Sequence, residues 1–212
     1  MQQTQLEAIA HAVVQRQERY QRNTHLFEQL GQLLVRGNPV APELLASRLH
    51  RDLEEVCAIL QAHPELEYDE QGNLVGSGLS LVPTMHQFQV GQRTLFAWCA
   101  FDTVTYPVAQ HLSAQVTSRC PVTGRSIHLT VTPEQVLDVD PAEAQVSLIV
   151  DVAAGCCHNV REDVCNYGHF FASREAATQW QAAHHQAVIL SVEEAYLVGK
   201  LVEGARFRDA EP

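Results

Sequence analysis

The 212-residue chain has no apolar run that approaches the length needed to cross a bilayer. Its polar start, Met1-Gln2-Gln3-Thr4-Gln5, has neither the basic nor the apolar region of a signal peptide. A membrane partner is therefore not expected, and the expected location is cytoplasmic. Positive charge is scarce: 14 Lys and Arg stand against 25 Asp and Glu, for a net charge of −11. Such a balance repels phosphate backbones, and no local basic patch offsets it, so no nucleic-acid partner is expected. Neither GxxxxGK[ST] nor GxGxxG occurs, which leaves nucleotide use without support. Internal repeats and low-complexity segments are also missing.

What is present suffices for a globular core, with 46% hydrophobic residues in a length that suits one large domain or two small ones. The pattern changes near residue 80. Before it, apolar residues recur at helical spacing, as in Leu26, Leu30, Leu33 and Leu34, then Leu44, Leu45 and Leu49. Gly37-Asn38-Pro39 breaks the pattern, and Pro42 suits the first turn of a new helix because its missing N–H is unpaired there anyway. Residues 39–60 read as helix, turn, helix, the second beginning near Arg51-Asp52-Leu53. Two short strands around Asp69-Glu70-Gln71-Gly72-Asn73 follow, an order that resembles a winged helix. The element that would enter a DNA groove carries Asp52, Glu54 and Glu55, so like charges would face the phosphates.

After residue 80 the period becomes that of strands. Residues 85–90 and 93–97 flank Gly91-Gln92, and residues 114–119 and 126–132 flank Pro121-Val122-Thr123-Gly124, each reading as a hairpin. Residues 146–150 and 188–192 are further strand candidates. Helices are expected over about 173–185 and from Ser191, whose spacing to Glu194 is that of a capping box. The expected architecture is α+β: a winged-helix-like helical part, 1–80, and a strand-rich part, 81–212, with an antiparallel or mixed sheet and flanking helices.

Six cysteines in a cytosolic chain of this size read as thiols or metal ligands rather than a disulfide framework. Cys57 shares a helical face with Leu53, Val56 and Leu60 and reads as a small hydrophobe. Cys120 stands at a hairpin mouth and reads as structural. Cys156, Cys157, His158, Cys165 and His169 offer soft ligands for zinc, yet their spacing fits none of its common patterns. Cys99 is different. If Trp98 opens a helix, Cys99 and Asp102 form an i,i+3 pair on one face, with the thiol at the positive end of the helix dipole, which favours thiolate. The neighbouring carboxylate opposes a second negative charge, so a proton shared between the two is the alternative.

The run Leu95-Phe96-Ala97-Trp98-Cys99-Ala100-Phe101-Asp102-Thr103, the segment Ser118–Gly124, and Cys165 placed four residues before His169-Phe170-Phe171-Ala172-Ser173 resemble the organomercurial lyases, the alkylmercury lyases of the MerB family. The stretch Glu67–Leu79 and the winged-helix-like start resemble it too, so the likeness covers roughly residues 25 to 200. It implies cleavage of carbon–mercury bonds to a hydrocarbon and Hg(II) in mercury detoxification, with no organic cofactor. By position, Cys99 would be the attacking thiol, Cys165 the second mercury ligand and Asp102 the proton carrier. Implied partners are an organomercurial, small cytosolic thiols, and mercuric reductase as Hg(II) acceptor. Trp98, Phe101 and Phe170 are candidates for lining an apolar pocket, and the helical part would cover it against water.

The chain departs from the family where many members follow the second cysteine with Cys-His, since Asn166 and Tyr167 stand here. Conversely, Cys156 and Cys157 are extra thiols that could receive or relay Hg(II). Two rival readings use the same residues: a winged-helix metal sensor, and a noncatalytic metal-binding protein holding copper, zinc or mercury. Neither needs Asp102, whereas protonolysis does.

Overall fold

The computed structural model describes residues 1–17, 23–150 and 159–209, the side chains of 207–209 apart. Helices α1 (Gln3–Arg16) and α2 (Thr24–Leu34) are followed by the helix pair α3 (Pro42–Leu49) and α4 (Leu53–Gln61). Leu26, Leu30, Leu33 and Leu34 are all buried, so the helical spacing of α2 does bury one stripe. In α3 the apolar reading splits, because Leu45 is fully buried while Leu44 is 46% exposed. Pro42 occupies the first turn of α3. Asp52 caps α4, its carboxylate accepting from the backbone N–H groups of Glu54 at 2.8 Å and Glu55 at 3.4 Å, an arrangement worth about 1 kcal/mol.

A single antiparallel sheet of eight strands runs through both halves in the order β1-β2-β3-β5-β4-β6-β7-β8. Its members are β1 (Glu67–Tyr68), β2 (Leu74–Ser77), β3 (Leu79–Ser80), β4 (His86–Val90), β5 (Arg93–Ala97), β6 (Ala114–Arg119), β7 (Ser126–Val131) and β8 (Val136–Asp140). The two expected hairpins are β4–β5 and β6–β7, within a residue of their predicted limits. Buried and more accessible residues alternate along β4, β6 and β7, because one face of the sheet lies on the core. A second antiparallel sheet, β10-β9-β11, comprises β9 (Gln145–Ile149), β10 (Phe170–Phe171) and β11 (Ala187–Ser191).

Helix α5 (Ala100–Ala109) follows β5 and packs against β9 and the last helix. The short helix α6 (Val160–Asp163), a 3-10 turn over Cys165–Tyr167, α7 (Arg174–Gln181) and α8 (Val192–Asp209) complete the chain. The predicted capping box opens α8: Ser191 N donates to Glu194 Oε2 at 2.9 Å and Glu194 N donates to Ser191 Oγ at 3.1 Å. Helix α8 lies against both α1 and α5, and the C-terminal ends of α1 and α8 share a cavity with Phe101 and Asp102 of α5. No helix among the described residues is long and apolar enough to cross a membrane.

Candidate functional site

Strand β5 ends where Trp98 N donates to Gly78 O at 2.8 Å, and the chain turns into α5 at Cys99. Cys99 does not sit inside the first turn, as a helix opening at Trp98 would require. It is the N-cap, with extended backbone (φ −145°, ψ 168°), and Asp102 N donates to its sulfur at 3.4 Å. A thiol thus occupies the place usually taken by a hydroxyl or carboxylate oxygen.

Cys165 reaches the same point from the other side of the chain. Asn159 caps α6, accepting from Arg161 N at 3.0 Å and Glu162 N at 3.1 Å, and the 3-10 turn after α6 carries Cys165. The main chain also joins the turn to α5, Ala100 N donating to Gly168 O at 2.9 Å. A Cβ at Gly168 would lie 2.6 Å from the Cβ of Cys99, so this close approach needs a residue without a side chain. His86 lies beneath, fully enclosed, with its Nδ1 2.9 Å from Ser118 Oγ. Burial lowers its pKa to about 3 and keeps the ring neutral.

The result is that one ligand atom from each of Cys99, Asp102 and Cys165 lies within 4.8 Å of the others, and the Cys165 thiol donates to Asp102 Oδ2 over 4.0 Å. Both cysteines are at most 5% exposed. Asp102 and Cys165 face a cavity of about 170 Å³, walled by α1, α2, α5 and α8. A cavity of about 150 Å³ with apolar walls holds benzene, so this one has room for a phenyl or short alkyl group. Val14, Phe27, Trp98, Phe101 and Val202 give it apolar surface. Phe170, expected to join them, is instead fully buried in the core on β10, its ring edge to face with that of His86.

The electrostatics of the three groups differ from the expectation for Cys99. Its thiol is raised well above the ordinary value by the hydrogen bond shared with Cys165, by burial, and by the carboxylate of Asp102. These outweigh the helix end, so the resting sulfur is protonated. Cys165 is helped toward thiolate by the same hydrogen bond, but burial and Asp102 outweigh that and raise it as well. Burial pushes Asp102 up to about 6, against the downward pull of its hydrogen bonds to Cys99 and the charges of Arg16 and Arg206. At neutral pH the site therefore holds two thiols and a carboxylate that readily accepts a proton.

This raised carboxyl has a consequence for stability. The folded state prefers protonated Asp102, so the benefit is full below about pH 4 and is lost as pH rises through 6. Asp102→Asn, neutral throughout, is expected to gain on the parent protein between pH 4 and pH 7, by up to about 3 kcal/mol. Thermal melts of both proteins at the two pH values check this; a constant difference would show that the carboxyl is not perturbed.

Sequence reasoning missed Arg16, Glu203 and Arg206, which face the cavity. Arg206 donates to Glu203 Oε1 and to Gln17 Oε1, both at 2.6 Å. No local motif signals these residues, because α1 and α8 meet only through tertiary packing. Of the other cysteines, Cys120 is buried and its sulfur accepts from Thr123 N at 3.4 Å, in keeping with a structural role. Cys57 is half-buried on α4, although Leu53 of its presumed apolar face is 38% exposed. Cys57→Ser is expected to leave turnover within about twofold of the parent, measured as initial rates. His169 does not join Cys165: its ring packs against Phe171 and Trp180, so the zinc grouping does not form around this pair. Cys156, Cys157 and His158 lie outside the described residues.

The helical N-terminal part thus stands over a buried pair of thiols and one carboxyl, a donor set of the kind that soft metals prefer. Comparison with known proteins identifies the class. The family model "Alkylmercury lyase" matches residues 79–204, and "Helix-turn-helix domain of alkylmercury lyase" matches residues 5–78. An alkylmercury lyase of Pseudomonas putida is 42% identical over 186 residues, covering 88% of this chain and 86% of the relative. One of Staphylococcus epidermidis is 40% identical over 187 residues, covering 88% and 85%. The crystal structure of the mercury-bound form of MerB2 shares the fold, with a TM-score of 0.77 at 23% identity, over 96% of this chain and all of that one. The chain belongs to the alkylmercury lyase family.

Proposed function

We propose that this protein cleaves the carbon–mercury bond of organomercurials by protonolysis, with Cys99, Asp102 and Cys165 as the reacting groups. The carrying observation is that two sulfurs and a carboxylate lie within 4.8 Å of one another beside a cavity sized for a small organic group. Mercury enters as substrate and leaves as product. In the first step the Cys99 proton passes to the Asp102 carboxylate and the sulfur displaces the thiolate that carried the mercurial. Cys165 then gives its proton to the departing thiolate and adds its sulfur, and two thiolates push electron density onto a soft ion. The carbon–mercury bond breaks with its electron pair on carbon, and Asp102 supplies the proton. Overall, one mercurial bound to an external thiol and two protein thiols give a hydrocarbon, a dithiolate-bound Hg(II) and the free external thiol. No organic cofactor enters this balance.

Asp102 suits both halves of its part because its value, about 6, is close to the pH at which it must take and return a proton. The N-terminal part, residues 1–80, covers the site, since α1 and α2 supply Val14, Arg16, Thr24 and Phe27 to the cavity wall. Shielding of this kind keeps water from competing for the developing carbanion. Small thiols deliver the mercurial, and mercuric reductase receives the Hg(II). The test is incubation of reduced protein with a phenylmercury salt and excess thiol, following benzene by gas chromatography. Catalytic benzene that disappears in Cys99→Ser supports the lyase; stoichiometric mercury binding without benzene would make the protein a metal trap on the same fold.

A further inference from the structure

Glu67 lies in β1, outside the reacting group, yet its carboxylate is the meeting point of three donors. Oε2 accepts from Trp98 Nε1 at 3.1 Å and from Ser80 Oγ. Oε1 accepts from Arg161 Nη1, whose guanidinium also stands 5.3 Å over the Trp98 ring. The Glu67 side chain is only 12% exposed, so its charge is held by these partners more than by water. The residue opposite on β2 is Gly76, and a Cβ there would fall 1.8 Å from Oε2. Space for this carboxylate is thus built into the neighbouring strand.

Two of the three donors stand next to the sulfurs. Trp98 immediately precedes Cys99, and Arg161 lies on α6, one turn before Cys165. The segments carrying the two cysteines are distant in sequence, and Glu67 holds both from a third. We propose that Glu67 is a positioning residue: by gripping Trp98 and Arg161 in one carboxylate, it fixes the Cys99 and Cys165 sulfurs at a separation at which both engage a single mercury atom. The inference rests on the lyase reading above. A sulfur that arrives alone makes only an adduct, so loss of this grip removes the second ligation and leaves the first.

The test separates positioning from support of the fold. The parent protein and Glu67→Ala are loaded with one equivalent of mercuric chloride and treated with iodoacetamide, and labelling of Cys99 and Cys165 is read separately by peptide mass spectrometry. Benzene release from phenylmercury acetate and a circular-dichroism melt accompany it. The expected result is that the parent protects both thiols, whereas folded Glu67→Ala protects one and is labelled at the other. Its kcat should fall by about 10- to 100-fold, the usual cost of losing a residue that orients metal ligands, with KM little changed. If Glu67→Ala does not fold, Trp98→Phe, which keeps a ring and loses the indole N–H, and Arg161→Gln are read in the same way. Folded variants that protect both sulfurs overturn the proposal, whether or not turnover has dropped. A parent protein that makes no benzene would sink the lyase reading instead, a distinct outcome.

Discussion

Cys165→Ser is expected to capture an organomercurial and then stall. Cys99 remains to form the first sulfur–mercury bond, but the hydroxyl put in place of the second sulfur is a hard ligand with little tendency to ionise, so mercury keeps its carbon. Benzene release should fall by more than about 10³-fold, the scale on which loss of a covalent participant is felt. Intact-mass spectrometry should find the phenylmercury group still on the protein. Cys99→Ser should lose turnover as fully but show no adduct. That variant should keep its fold, because serine at the N-cap of α5 accepts from Asp102 N at least as well as cysteine does. Normal benzene release from either variant would remove that sulfur from the mechanism.

Asp102→Ala separates capture from cleavage. With both thiols in place the variant should take up phenylmercury, while the step that protonates carbon loses its general acid, a loss of about 10²- to 10⁴-fold. Single-turnover measurement distinguishes the two phases: adduct formation read by mass, then benzene read by gas chromatography. A variant slow in capture and normal in release would reassign Asp102 to deprotonating the thiol alone. The raised value of the carboxyl, about 6, adds that the parent protein's release should be sensitive to pH near that value and the variant's should not.

Much of this was legible in the sequence because it is local or repeated. The stripe of Leu26, Leu30, Leu33 and Leu34, the proline at position 42, the start of α4 near Asp52 and the two hairpins follow from short-range rules. Cys99, Asp102 and Cys165 were legible through a run of residues around each and through family resemblance. The strands β3 and β10 were not, being two residues long and set by their neighbours rather than by any pattern of their own. Strand β8 was missed because its residues are mostly accessible and show no clean alternation. The charge state of Cys99 could not be read either: the helix end is visible in a sequence, but the burial and the second sulfur that overrule it belong to the folded chain.

The thiol of Cys99 serves two masters. Its sulfur closes the open end of α5 through the Asp102 amide, and in the proposed reaction the same sulfur binds mercury. A thiolate sulfur has more than one lone pair, so in that reaction it can hold the metal and still accept from the Asp102 amide. In the proposed reaction the metal and the backbone of the acid thus meet on a single sulfur atom.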